Sequence, residues 1–349
     1  MSGLSPAAQA FVVAAAEGPT LVVVPTDVRV EEMAADAKFF LASLHGISEA
    51  EAGRSVLPLP STEINPYRSI TPHLDVAAAR ARVLTELAQG TAKLVIASVA
   101  ALLSRVSGPD RILRASREFT VGDISSPTTL ENLLADAGFI HEDPVEQYGQ
   151  FCVRGGVVDF FQVGEDYPVR FEFSGDLIES LRQYDPSTQR SIASLDRATV
   201  IPLRDTFENI VSDNIDSGKS LSLDRSSSLL DFLSRVSSIR TFLCETTDCE
   251  QSAEKMAQQV QKNYEDALSR NEIVPTPTEL LVNWQEIRTG LPRIKQFETL
   301  ELDKTDSQQV HHISCQPAMV FHGRLSAWID EVHTNRERGE RQVVVAATP

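Results

Sequence analysis

The sequence predicts an α/β protein in which a mostly parallel-sheet domain, built from two stretches of chain, carries an inserted α+β antiparallel-sheet domain and is followed by the start of a third α/β domain. Three observations predict it. Short β-branched runs alternate with helical stretches over residues 1–117. Between 118 and 204 the strands run together across short Gly, Asp or Pro turns. From 205 to 304 helix and strand signals resume, as though the returning chain completed the first layer. A length of 349 residues suits two or three domains of ordinary size.

Ser5-Pro6 opens an Ala-rich helix to Ala16, with Pro in its first turn and a stop at Gly18-Pro19. Leu21 to Val24 is the short apolar run of a strand covered on both faces. Asp27 is placed to cap the next helix, which passes through Met33 and Phe39 to about His45. Asp75 to Gln89 reads as helix, Leu94 to Ala97 as strand and Ser98 to Val106 as helix. In the second domain Glu118 to Val121 is a strand, and Ser126-Pro127 to Ala137 a helix ended by Gly138. The segments 149–154, 156–162, 168–173 and 177–184 then read as an antiparallel meander. Residues 205–228, rich in Ser and Asp, read as loop; Leu229 to Val236 is helical, Thr241 to Cys244 a strand and Gln251 to Arg270 a long helix. The last domain, 305–349, holds a helix near Leu325 to Arg338 and a strand at Gln342 to Ala346, where the pattern stops as though truncated.

Composition narrows the function. Hydrophobic content of 42% with 23% charged residues describes a soluble globular chain. No run approaches the roughly 18 apolar residues of a membrane-spanning helix, and no basic residue precedes Arg29, so a secretory signal would lack its positive start. Cys152, Cys244, Cys249 and Cys315, without a Cys-x-x-Cys pair, suit separate thiols in a reducing cytoplasm. Cys244 and Cys249 with His311 and His312 fit no usual zinc spacing, so no metal is expected. A formal charge of −17 opposes a phosphate backbone and disfavours tight, sequence-independent binding of nucleic acid. No Ser/His/Asp or paired-carboxylate arrangement can be argued from spacing, so no catalytic residue is assigned. Gly218-Lys219-Ser220 ends like a phosphate loop, but Asp213 stands where the first Gly belongs and Asp216 adds a charge that repels phosphate.

The run from Gly149 through Arg154, Gly155, Gly156 and Asp159 to Phe161 resembles the signature of the UvrB-like interaction domain shared by transcription-repair coupling factors and UvrB. The resemblance continues through Tyr167 to Arg182 and Asp185 to Arg190, in the family's order and spacing. Upstream, Asn65-Pro66-Tyr67, Ser69 to Asp75, Arg80 and Ala97-Ser98-Val99 resemble the first domain of the coupling factors, and 229–304 is more weakly similar. UvrB carries an intact phosphate loop and a tyrosine-rich hairpin that grips damaged DNA. Here the first helix leads into Gly18-Pro19-Thr20 without Gly-x4-Gly-Lys, and Ser61 to Pro72 holds one tyrosine, as in the coupling-factor branch. Cys244-Glu245-Thr246 lacks the second carboxylate of a helicase metal site.

The resemblance implies a degenerate, helicase-like module that binds UvrA and has no cofactor of its own. ATP and magnesium belong to the family's motor domains, which are missing here, as are the segments that meet stalled RNA polymerase and DNA. It also implies that the UvrA surface is masked by packing against the rest of a full-length protein. Arg154 and Arg170 match the family's contact arginines, and a guanidinium on a rigid strand offers a planar fork to a partner carboxylate. The other reading of each is a surface arginine paired with a nearby Asp or Glu, worth little. Alternation places Val169, Phe171 and Phe173 on one face of their strand and Arg170 and Glu172 on the other. Ser174 stands where the family often has a second aromatic, so the apolar part of the contact is expected to be weaker or to move, with Phe173 one place for it. Asp159 is placed to hold Arg154 or Arg170 in register, and Gly155 and Gly156 serve backbone geometry. The runner-up reading is a DNA-binding, ATP-dependent, helicase-like enzyme with weak nucleotide affinity centred on Lys219; a third is a brake on the motor with no outside partner.

Overall fold

The structure, a computed structural model, describes residues 1–62, 65–68, 71–208, 223–299, 311–313, 315 and 325–339. It begins with α1 (Pro6–Ala14), capped by the Ser5 hydroxyl, which accepts from the Ala8 amide at 3.4 Å. Every residue of β1 (Thr20–Val24) is buried, as a strand with helices on both faces requires. α2 (Asp27–His45) is capped by Thr26 and stopped by Gly46 in the left-handed conformation that glycine adopts without strain. α3 (Glu49–Ser55) opens with a Ser48–Glu51 capping box and runs into β2 (Val56–Leu59). α4 (Leu74–Gln89), β3 (Leu94–Ser98), α5 (Val99–Leu103) and α6 (Pro109–Arg114) complete this stretch.

A different pattern follows. β4 (Arg117–Thr120) and α7 (Pro127–Ala137) lead to β5 (Ile140–His141), β6 (Gln150–Arg154), β7 (Val157–Phe160), β8 (Val169–Ser174), β9 (Leu177–Tyr184), β10 (Ser191–Leu195) and β11 (Arg197–Val200). β5 to β10 form a six-stranded sheet in the order β10-β9-β8-β7-β6-β5, antiparallel except where β5 lies beside β6. α7 covers one face, where Leu130 and Leu134 meet Phe151, Val158, Phe160, Phe171, Ile178 and Leu181 in one core. β4 and β11 pair separately, Arg117 opposite Val200, so the chain enters and leaves this part at one place.

The chain then returns to the first layer. α8 (Leu229–Leu233), β12 (Arg240–Cys244), α9 (Thr246–Ser269), α10 (Pro277–Leu280), α11 (Trp284–Gly290), β13 (Ile294–Phe297) and α12 (Leu325–Glu337) follow in order. β12 lies parallel to β1, giving a five-stranded parallel sheet in the order β13-β12-β1-β3-β2. Strand alternation splits its side chains into two cores. Leu21, Val23, Val95 and Leu243 pack beneath helical residues such as Leu84, Leu102 and Phe232, whereas Val22, Ile96 and Phe242 meet Val13, Met33 and Ala37 of the first two helices. Where the chain leaves the antiparallel part, Asp205 Oδ2 accepts from Nε of the buried Arg80 at 2.6 Å, and Arg80 Nη1 donates to Pro60 O at 2.7 Å.

The mixed architecture of a parallel sheet and an antiparallel sheet accords with the sequence reading, with local corrections. α5 ends at Leu103 rather than Val106, because Ser104 and Val106 leave the helix to bridge Leu281 and Ser227. α9 starts at Thr246, before Gln251, and α12 ends at Glu337, one residue before Arg338. Phe173 keeps to the apolar face with Val169 and Phe171, but at the strand end it is only half-buried, its ring stacked on Phe171 with centroids 6.2 Å apart. The strand expected at 342–346 and the Gly218-Lys219-Ser220 segment lie outside the described residues.

Candidate functional site

The face of the antiparallel sheet opposite α7 carries the charged groups. Cross-strand pairing sets Cys152, Asp159, Arg170 and Arg182 in one row across β6 to β9, and Arg154, Val157, Glu172 and Ser180 in the next. Residues directly opposite in an antiparallel ladder share a face. Their strand neighbours Val153, Val158, Phe171 and Leu181 point the other way, into or against the core. Period-2 alternation therefore builds a polar face directly on the back of an apolar one.

Asp159 is the hub. It is 1% exposed and holds Arg170 through two bonds, from Nε to Oδ1 at 2.7 Å and from Nη2 to Oδ2 at 2.8 Å. Arg170 Nη2 also donates to Gln189 Oε1 at 3.0 Å, and its guanidinium lies 4.4 Å over the Tyr184 ring. The bonds to Asp159, and then the charge of that carboxylate, hold the Arg170 guanidinium above its usual range against the opposing effect of burial. The Tyr184 hydroxyl is buried and, among the described residues, has no hydrogen-bond partner; burial first, and then the charge on Asp159, push its pKa up. Burial, with the same carboxylate second, also raises the Cys152 thiol, which suits a packed, unreactive sulfur.

Arg154 is held differently. Its Nη2 lies 2.8 Å from Asp143 Oδ1, its Nε donates to Asp143 Oδ2 at 3.2 Å, and Asp159 Oδ2 is 3.9 Å away. The Arg154 side chain is 42% exposed and Asp143 is also solvent-facing, so a competing carboxylate can reach this pair. Arg170, 19% exposed, has most of its fork occupied by a buried acid. Both arginines therefore have partners within the chain, and one buried carboxylate lies between them. Ser174 is exposed on the same face, two residues along β8 from Glu172, while Phe173 faces the core side. Glu172 accepts from Ser180 Oγ at 2.5 Å and pairs with Arg182 at 3.1 Å.

Gly156 lies close to its cross-strand neighbour: a Cβ there would sit 3.0 Å from Phe173 O, which explains why a side chain is disfavoured between these strands. Sequence reasoning missed Asp143, Gln189 and Tyr184. Tyr184 lies in the same strand as Arg182 and alternation places it on this face, but Asp143 and Gln189 arrive from loops and carry no periodic signal.

The parallel sheet presents a contrast at the carboxyl ends of its strands. Only Pro25 and Thr26 separate β1 from α2. Thr26 Oγ1 accepts from the Arg29 amide at 3.4 Å, and Asp27 accepts from Ser61 N at 2.8 Å and from Ser61 Oγ at 2.5 Å. Beyond β12, Glu245 Oε1 accepts from the Thr299 amide at 2.9 Å, and Glu298 Oε1 accepts from the Thr246 amide at 3.1 Å. A shallow cleft of about 290 Å³ lies there, lined by Arg29 and Lys255 but also by Glu245 and Asp248. Among the described residues no group of three or more His, Cys, Asp or Glu is arranged to hold a metal, and no helix is long and apolar enough to cross a membrane.

Comparison with known proteins adds to this geometry. Residues 118–205 match the UvrB interaction domain family. The chain is 35% identical over 211 residues to the transcription-repair-coupling factor of Myxococcus xanthus, covering 59% of this chain and 17% of that protein. It is 29% identical over 159 residues to the transcription-repair-coupling factor of Escherichia coli, covering 46% of this chain and 14% of that one. UvrABC system protein B of Gloeothece citriformis is 30% identical over 148 residues, 42% of this chain and 22% of that protein. The chain is thus a relative of the coupling factors, and each match covers a quarter or less of the relative's own length.

Proposed function

We propose that this relative of the transcription-repair coupling factors serves as their amino-terminal module and recruits UvrA to stalled RNA polymerase in transcription-coupled excision repair. The observation that carries the reading is Arg154, exposed on a rigid antiparallel sheet within the residues that match the UvrB interaction domain, and held most closely by the exposed Asp143, with the buried Asp159 farther off at 3.9 Å. A partner carboxylate can take the place of Asp143, exchanging one charge-assisted pair for another. Arg170 supports it from below: locked onto Asp159, it fixes the charge and shape of the face.

In this reading the chain does no chemistry. The turn after β1 is two residues long and Thr26 accepts from the Arg29 amide at the start of α2, which supports that reading. ATP, magnesium, polymerase and DNA are engaged by other domains of the longer protein, which acts in the cytoplasm, and packing against those domains masks the arginine face at rest.

The test is binding of purified UvrA to this chain and to Arg154→Ala at fixed salt, with circular dichroism confirming the fold. A loss of about 1–3 kcal/mol without unfolding is the expected outcome. Equal binding by both proteins places the contact elsewhere, and no binding by either rejects the recruitment reading. Saturable binding of a fluorescent nucleotide that is abolished by Lys219→Ala would instead establish the helicase-like alternative.

A further inference from the structure

Beyond the charged rows, the same face ends in an apolar one. Ser174 of β8 lies directly opposite Leu177 of β9, and Leu177 in turn bridges Ile124 on its other side. That segment is tied on by backbone bonds: Gly122 N donates to Ile178 O at 2.9 Å, Ile178 N to Asp123 O at 3.0 Å, and Ser125 N to Asp176 O at 2.7 Å. Directly opposed residues share a face. Ile178, the neighbour of Leu177, is fully buried in the core beneath α7, so Leu177 and Ile124 point to the opposite side, the side of Arg154. Leu177 is 43% exposed and Ile124 80% exposed, and Val121 beside them is also exposed.

We propose that Leu177 and Ile124 are the apolar anchor of the contact made by Arg154, supplying across the strand what the small Ser174 does not. The inference rests on the proposed recruitment of UvrA and names the second half of that surface. Three strand spacings of roughly 4.8 Å separate β6 from β9, and Leu177 lies one row, about 7 Å, further along the strands, so the arginine and the leucine are about 16 Å apart, well inside one ordinary interface. The partner surface that fits presents a carboxylate to Arg154 and, beside it, an apolar side chain to Leu177 and Ile124. A second copy of this chain fits poorly, because two molecules each of net charge −17 repel. The apolar groups are also fastened in place: the hydrogen-bonded edge fixes Ile124 and the hairpin fixes Leu177, so little conformational freedom is lost when a partner covers them.

The experiment measures UvrA binding by the whole chain, by Leu177→Ser, by Ile124→Ser and by Arg154→Ala, with sedimentation to follow self-association. Both apolar residues are exposed, so the serine variants keep the fold, which their thermal transitions verify. The expected result is a loss of roughly five- to thirty-fold in affinity for each serine variant, with unchanged melting and a monomeric chain throughout. If Arg154→Ala weakens binding and both serine variants bind like the parent, the anchor is refuted while recruitment stands. If the parent does not bind, recruitment itself fails. If the serine variants instead abolish a self-association of the parent, the row is a homotypic interface and the assignment is overturned.

Discussion

The two sheets put polar groups to opposite uses. In the parallel sheet, the carboxyl ends of the strands are where an open α/β sheet ordinarily receives a ligand. Here those ends are capped by the chain's own side chains beside a shallow cleft: Thr26 and Asp27 after β1, Ser98 at the end of β3, and Glu245 and Glu298 around β12. In the antiparallel sheet the charged groups stand on an open face, with one arginine half-buried against a buried acid and the other within reach of solvent. The contrast teaches that a self-capped strand end offers little to a ligand, whereas a flat face with a replaceable ion pair offers a surface for a protein.

The largest effects that can break the comparison are on stability. Arg80, itself buried, pairs with the partly buried Asp205, and Arg170 pairs with the buried Asp159. Removing Arg170 strands the buried Asp159, and removing Arg80 empties a buried site bonded to Asp205 and Pro60 O, so Arg80→Ala and Arg170→Ala are each expected to cost about 3 kcal/mol in urea unfolding, against under about 0.5 kcal/mol for Arg154→Ala. If Arg170→Ala proves as mild as Arg154→Ala, the hub role of Asp159 is lost.

Smaller effects follow with pH. Burial pushes the Cys244 thiol up to about 12, while an unfolded thiol titrates near about 8.5. A folded-state pKa raised above the unfolded value means that this group's contribution is complete below about pH 8.5 and erodes as pH rises toward about 12. Between pH 8 and pH 10.5 the parent should lose about 2 kcal/mol more than Cys244→Ala in urea titrations. Parallel losses in the two proteins would show that the buried thiol is not coupled to folding.

The smallest effect sharpens the open face. Asp143→Asn removes the acid that occupies Arg154 and is expected to tighten UvrA binding by up to about 1 kcal/mol, with no gain when Arg154 is already alanine. Calorimetry on the four proteins of that cycle measures the coupling, and weaker binding by Asp143→Asn would make Asp143 part of the contact rather than its competitor.

Much of this was legible in residue order. Alternation separated Arg170 and Glu172 from Val169 and Phe171, and the buried run Leu21 to Val24 marked the central strand. β2 was not legible, because Pro58 breaks its pattern; at the sheet edge the missing N–H costs little. β13, with exposed Ile294, Lys295 and Gln296, has too little apolar periodicity to announce an edge strand. The partners of the arginines were half legible. Asp159 lies in the opposing strand at a register the meander implies, whereas Asp143 reaches Arg154 from a loop, where no period constrains direction. Ile124 lies in the short connection between β4 and α7, where no period sets its direction, and only its bridge to Leu177 reveals the apolar row.

Hydroxyl-radical footprinting of this chain, free and saturated with UvrA, tests the central contrast most directly. Protection of Leu177 and Ile124, with Pro25 and Lys255 at the cleft by the parallel strand ends unchanged, is the predicted result. Protection at Pro25 and Lys255 with Leu177 and Ile124 still fully oxidised would contradict it, returning the contact to the strand ends.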